Sequence, residues 1–260
     1  MNTSNIFLKR YAIWLFFPLA YLLSWWSVIV PQAQGGILPH GPAFAALILI
    51  ALTEGRAGLS VWWKRITNWR VSWIWYVIAP AIMIAFHLGG AAMNLLLGAT
   101  LQSFNWSQVW ASVMLLAFLG GQWEEPGWTG YALPKLQEGF TGRPLLTSAI
   151  LSILRAIWHL PLVFSGAIPW YDVLFFSFAM QFTISWLYNC TNGSALIAFL
   201  FHFTSNVMYV VMHQFFSGAD WNRHYILFIA AGCVWMALLV SRPGSNLGMQ
   251  QKEVELAKTV

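Results

Sequence analysis

A chain of 260 residues that is 59% hydrophobic and only 8% charged, with a mean hydropathy of +0.64, is not a soluble domain, in which about a quarter of the residues carry charge. It reads as an all-α, polytopic membrane protein embedded in a lipid bilayer. The net charge of +5 does not imply nucleic acid, because the basic residues lie in loops between apolar runs and report membrane topology; no nucleic-acid partner is expected.

Taken in chain order, apolar runs of a length to cross ~30 Å of hydrocarbon fall at 11–30, 73–97, 108–123, 146–164, 171–188, 195–215 and 225–240. A shorter run falls at 41–53. The first run lacks a small-residue cleavage site and reads as a retained span. Charge decides the short one, since short cytoplasmic loops are enriched in Lys and Arg. With eight spans and the N-terminus inside, the inner segments hold Lys9, Arg10, Arg56, Lys64, Arg65, Arg70, Lys135, Arg143, Arg242, Lys252 and Lys258. The outer loops hold only Arg223, and Arg155 falls within a span. The expectation is therefore one integral-membrane domain over 1–260, with about eight transmembrane helices and both termini cytoplasmic. Residues 241–260 form a polar tail. Seventeen Trp suit interfacial anchoring. Cys190 and Cys233 suggest neither a disulfide framework nor a Cys-based metal site.

Polar side chains at membrane depth are costly and are read first as site residues. They are Glu124 and Glu125 in the fourth run, Arg155 and His159 in the fifth, Gln181 in the sixth, His202, Asn206 and His213 in the seventh, and His87 and Asn94 in the third. His40 and His224 lie at boundaries and read as incidental. Taken singly, His87, Asn94, Gln181 and His213 read as interhelical hydrogen-bonding groups. Glu124, His159, His202 and Asn206 differ as a set, because three helices each contribute a residue type used in hydrolysis. His202 and Asn206 are four residues apart and share a helix face, as do Arg155 and His159. Adjacent Glu124 and Glu125 point ~100° apart, so one can face a reaction centre while the other supports it. At ~1.5 Å per residue, with boundaries free to move by ~2–4 residues, the three sites fit one level in the cytoplasmic half of the bilayer. Pro126 directly after the glutamates predicts a bent or reorganised helix bordering a cavity or buried protein. Trp123, Trp128 and Trp158 read as packing or interfacial groups, or as the lining of a lipid-facing entrance.

The stretches "EEPGWTGYALPKLQ", "AIWHLPLVF" and "FLFHFTSN" resemble, in order, the three motifs of the CPBP family. These are the CAAX-protease and bacteriocin-processing (Abi-type) intramembrane proteases, which include the type II CAAX prenyl endopeptidase. The motifs lie within 118–210. The resemblance implies an intramembrane endopeptidase, multi-pass in a bacterial cell membrane, acting on a peptide or prenylated protein substrate. It implies that Glu124 and His159 activate a water and that His202 and Asn206 form the oxyanion hole. Glu124, His159 and His202 would be the ligands if the chemistry used zinc, and the sequence leaves the glutamate-dependent and zinc-dependent forms open. One position departs from the family, which usually has Arg where this chain has Thr129. Arg155, one turn before His159, is expected to supply the missing cation to Glu125 or Glu124. A non-proteolytic immunity or scaffold protein of the same fold, and a proton-coupled transporter, are the alternatives.

Overall fold

The computed structural model describes residues 3–29, 36–242 and 244–249. Its described part is helical, with no strand among those residues. Eleven α-helices follow in order: α1 Thr3–Ile29, α2 Gly41–Thr53, α3 Gly55–Ile66, α4 Ile74–Leu96, α5 Trp106–Leu119, α6 Glu125–Gly127, α7 Leu133–Gly139, α8 Pro144–Phe164, α9 Ser177–Cys190, α10 Ala195–Phe215 and α11 Gly218–Val240. A helix meets all its backbone hydrogen bonds within one segment, the condition a spanning chain must satisfy. Six helical segments are long and apolar enough to cross a membrane: Leu8–Val28, Ile74–Leu96, Pro144–Phe164, Asp172–Cys190, Ala195–Phe215 and Gly218–Val240. The other two runs read as spans fold as shorter helices, α2 with 13 residues and α5 with 14. The chain's ends, on which the expected cytoplasmic termini rest, lie outside the described residues, as do Lys252 and Lys258.

Two large apolar cores fill the bundle, beside a smaller cluster around Phe182, Leu239 and Leu247. One gathers Phe16 and Phe17 of α1, Leu49 of α2, Leu151 and Trp158 of α8, and Trp128. The other gathers Met83 of α4, Ile184 of α9, Phe201 of α10 and Phe228 of α11. Side-chain caps mark two helix starts. Asn105 accepts from the amides of Ser107 and Gln108, and Ser194 accepts from that of Ile197, each satisfying donors a helix start leaves free.

At the first core the helical path breaks. After α5 come a 3₁₀ turn, Gly121–Glu124, the short α6, and a π turn, Trp128–Ala132. The reorganisation expected at Pro126 is thus a run of three helix types. Trp62 of α3 donates to the carbonyl of Pro126 at 2.8 Å, satisfying backbone that the break would leave bare. Gly127 lets this segment reach α2, since a Cβ there would lie 2.3 Å from the Pro42 backbone. A second π turn, Asp172–Phe176, opens the spanning segment Asp172–Cys190. Such π segments are rare and recur at functional sites; here both carry or adjoin buried carboxylates.

Candidate active site

The broken segment brings Glu124 and Glu125 inward, where they are 3% and 0% exposed. Opposite them α8 presents Arg155, 4% exposed. Its Nη2 lies 2.9 Å from Glu125 Oε1 and 3.2 Å from Glu124 Oε2, and its Nη1 donates to Gln181 Oε1 at 3.0 Å. Gln181 in turn donates to Ser185 at 3.1 Å. Thr129, where an arginine was expected from the resemblance, donates its hydroxyl to Glu125 Oε2. His202 Nδ1 lies 2.7 Å from Glu125 Oε1. One buried cation therefore bridges two carboxylates. A buried charge without such partners would bear a desolvation cost of several kcal/mol.

Three ring and amide contacts settle which atoms remain free. His159 Nδ1 lies 2.8 Å from the Arg155 carbonyl. A carbonyl only accepts, so Nδ1 carries the proton and Nε2 is the basic nitrogen of the neutral ring. His202 spends Nδ1 on Glu125, leaving Nε2. Asn206 donates one N–H to Gln122 Oε1 at 2.9 Å and keeps its second. Gln122 is a residue that sequence reading passed over. It also donates to the Leu116 carbonyl and so ties α10 to the end of α5.

Glu124, His159, His202 and Asn206 all line one cavity of about 380 Å³, together with Arg155 and Gly121. Gly121 has a steric role there. A Cβ at this position would lie 2.9 Å from His202 Nε2 and 3.0 Å from Glu124 Oε1, so the bare backbone leaves room at those two atoms. Trp158 packs edge-on to both His159 and Trp128. Trp128 is fully buried beneath the Arg155 guanidinium, whose centre is 6.0 Å from its ring. Trp123 donates to the Ala117 carbonyl and stacks on His40. Trp128 and Trp158 are thus packing groups rather than a lipid-facing lining.

Among the described residues no group of three or more His, Cys, Asp or Glu side chains is placed to hold a metal ion. Glu124 faces the Arg155 guanidinium, which a divalent cation would have to displace.

The remaining polar groups sort differently. Asn94 links α4 to α11, donating to the Asp220 carbonyl at 2.9 Å and accepting from Arg223 at 2.6 Å. His87 Nδ1 lies 3.3 Å from His224 Nε2. His224 is no boundary residue: α11 begins at Gly218, and His224 is fully buried within it. His213 makes ring contacts with Trp221 and Tyr209. Asp172, which sequence reading did not single out, is buried and lines the same cavity as Glu124 and His159. Its only sequence signal was a lone acid at the head of an apolar run.

Fold and site together define a class, a polytopic helical membrane protein whose bundle encloses a glutamate–arginine–histidine centre beside a cavity. Within that class, residues 105–208 match the family model described as Type II CAAX prenyl endopeptidase Rce1-like. A CAAX prenyl protease 2 of Methanococcus maripaludis is 29% identical over 143 residues, which cover 50% of this chain and 51% of the relative. The chain thus spans about half the length of the curated relative it matches. The likeness implied by the three motifs is to this family, and Glu124, Glu125, Arg155, His159, His202 and Asn206 all lie within the matched stretch.

Proposed function

We propose that the protein is an intramembrane endopeptidase of the CAAX-protease type, which hydrolyses a peptide bond in a membrane-associated, prenylated substrate. The observation that carries this reading is the convergence of Glu124, His159, His202 and Asn206 on one cavity, with Arg155 between the two carboxylates. In this account Glu124 and the Nε2 of His159 hold the attacking water, and Glu124 takes its proton, a role worth roughly 10²–10⁴-fold in rate. The carbonyl of the scissile bond becomes an oxyanion. Asn206 donates its spare N–H to it. His202 donates from Nε2, which requires both ring nitrogens to be protonated. Glu125 supplies the counter-charge for that form at 2.7 Å, and each such donor contributes on the order of 10²–10³ in rate. The proton on Glu124 then passes to the leaving amine. Arg155 keeps the adjacent carboxylates in place, with Thr129 holding the far oxygen of Glu125.

The test is cleavage of a fluorogenic, farnesylated CAAX-type peptide by purified protein in bilayer nanodiscs, beside an unprenylated control. Wild type is expected to cut the prenylated peptide, and Glu124→Ala is not. Activity unchanged by that substitution would remove Glu124 from the mechanism. The absence of cleavage of either peptide would favour a non-proteolytic protein of this fold.

A further inference from the structure

The same cavity is lined by a further buried carboxylate, Asp172, to which the proposed hydrolysis gives no role. Asp172 opens the π turn Asp172–Phe176 and is 8% exposed. Its Oδ2 accepts from the Tyr225 hydroxyl at 2.6 Å. Its other oxygen accepts no hydrogen bond from the described residues, and no Lys, Arg or His nitrogen among them lies within ion-pair distance. Arg223, the cation nearest in sequence on α11, is engaged by Asp220 at 2.8 Å and by Asn94. A carboxylate carries about four acceptor sites, and taking one out of water without a cation is costly. Glu124 and Glu125 have their cation; Asp172 has no ion pair among the described residues, and the charged or titratable side chain that acts on it through space is His159.

The Tyr225 ring that holds Asp172 belongs to a group of aromatic rings. Tyr225 lies 6.2 Å from Tyr171, 6.1 Å from Tyr209 and 5.5 Å from Trp221, and Tyr209 lies 5.1 Å from Trp221. These four rings also line a second recess, of about 450 Å³, which meets the main cavity at Tyr209 and Tyr225. Aromatic faces attract cations through their quadrupoles, and Trp and Tyr do so best. A buried carboxylate whose phenol donor packs in such a group of rings is a site for an ammonium or guanidinium group.

We propose that Asp172, held by Tyr225, whose ring packs with Tyr171, Tyr209 and Trp221, is a cation-recognising subsite that selects peptide substrates carrying a Lys or Arg side chain near the scissile bond. This deepens the endopeptidase reading and rests on it. The peptide source is favoured over a lipid amine because Asp172 lines the same cavity as Glu124 and His159, so whatever reaches those residues lies within that cavity's reach of Asp172.

The experiment measures equilibrium binding and cleavage separately. Farnesylated peptides are made as a set in which Lys is moved through the positions flanking the scissile bond, each paired with its norleucine analogue. Binding is read by fluorescence anisotropy on nanodisc-embedded wild type, Asp172→Asn, Asp172→Glu and Trp221→Leu. At one Lys position wild type should bind the Lys peptide roughly 10- to 100-fold more tightly than the norleucine peptide, the worth of a charge-assisted hydrogen bond. Asp172→Asn should erase that ratio, Asp172→Glu should restore part of it, and Trp221→Leu should reduce it while keeping the acid. In cleavage the discrimination should appear in KM and leave kcat within about threefold. Equal Lys and norleucine affinities in wild type at every position overturn the subsite. So does a ratio that survives Asp172→Asn, or one abolished by millimolar ethanolamine or phosphocholine when Asp172→Asn leaves peptide binding unchanged. If wild type cuts no peptide, the endopeptidase reading fails and the anisotropy ratio still decides the subsite.

Discussion

Two ends of one cavity treat buried carboxylate in opposite ways. At one end Glu124 and Glu125 share Arg155, and Thr129 and His202 occupy further acceptor sites of Glu125. At the other, Asp172 has a phenol whose ring packs with other aromatic rings. The first end is electrostatically matched before any substrate arrives, as a preorganised reaction centre requires. The second has unspent acceptor capacity, as a site completed by its ligand does. In the proposed account, chemistry and recognition fall to different carboxylates of a single cavity.

The largest effect is expected from breaking the matched end. Arg155→Met leaves two buried carboxylates with no cation and should destabilise the protein by about 3–5 kcal/mol, read by thermal unfolding in detergent, with cleavage lost. The comparison sharpens if the charge is returned from the place where the family usually has it. Thr129→Arg alone adds a second cation to a fully buried position and should also destabilise. The double variant Thr129→Arg/Arg155→Met should be more stable than Arg155→Met, a coupling that only shared carboxylate partners produce. A double variant whose losses simply add would show that Arg155 acts elsewhere.

A subtler break uses sterics. Gly121→Ala places a methyl at 2.9–3.0 Å from His202 Nε2 and Glu124 Oε1. It should lower kcat on the order of 10²-fold, the cost of displacing reacting groups by about 1 Å, with little change in melting temperature. An active Gly121→Ala enzyme would mean that those two atoms do not frame the reacting centre.

The smallest effect is expected where burial is polar but without charge. His87 and His224 meet at 3.3 Å, while His87 Nε2 has no hydrogen-bond partner among the described residues. Replacing both by Phe should change stability by less than about 1 kcal/mol, whereas His224→Phe alone strands His87 and should cost about 1–3 kcal/mol.

The sequence carried more of the matched end than of the open one. The apolar runs marked the spans, because a bilayer admits long apolar helices and little else. Arg155 was legible because an arginine inside a span needs a carboxylate and only one pair was at hand. Asp172 was not, because spacing along a regular helix does not reveal a π turn, and an acid at the head of an apolar run reads as solvated. His224 was misplaced for a related reason. Hydropathy starts α11 at Tyr225, while the structure extends it over the polar first turn from Gly218. The shortness of α2 was legible, since the run at 41–53 is itself short, whereas that of α5 was masked by apolar residues that continue past it into the broken segment.

The division of labour between the two ends is tested most directly by single-turnover cleavage of the Lys-bearing farnesylated peptide, with its affinity measured in parallel, for wild type, Glu124→Gln and Asp172→Asn. Glu124→Gln should abolish the chemical step while keeping affinity within about threefold, and Asp172→Asn should weaken affinity roughly 10- to 100-fold while leaving the step at saturation nearly unchanged. The reverse partition, or both variants losing the chemical step equally, would contradict the account.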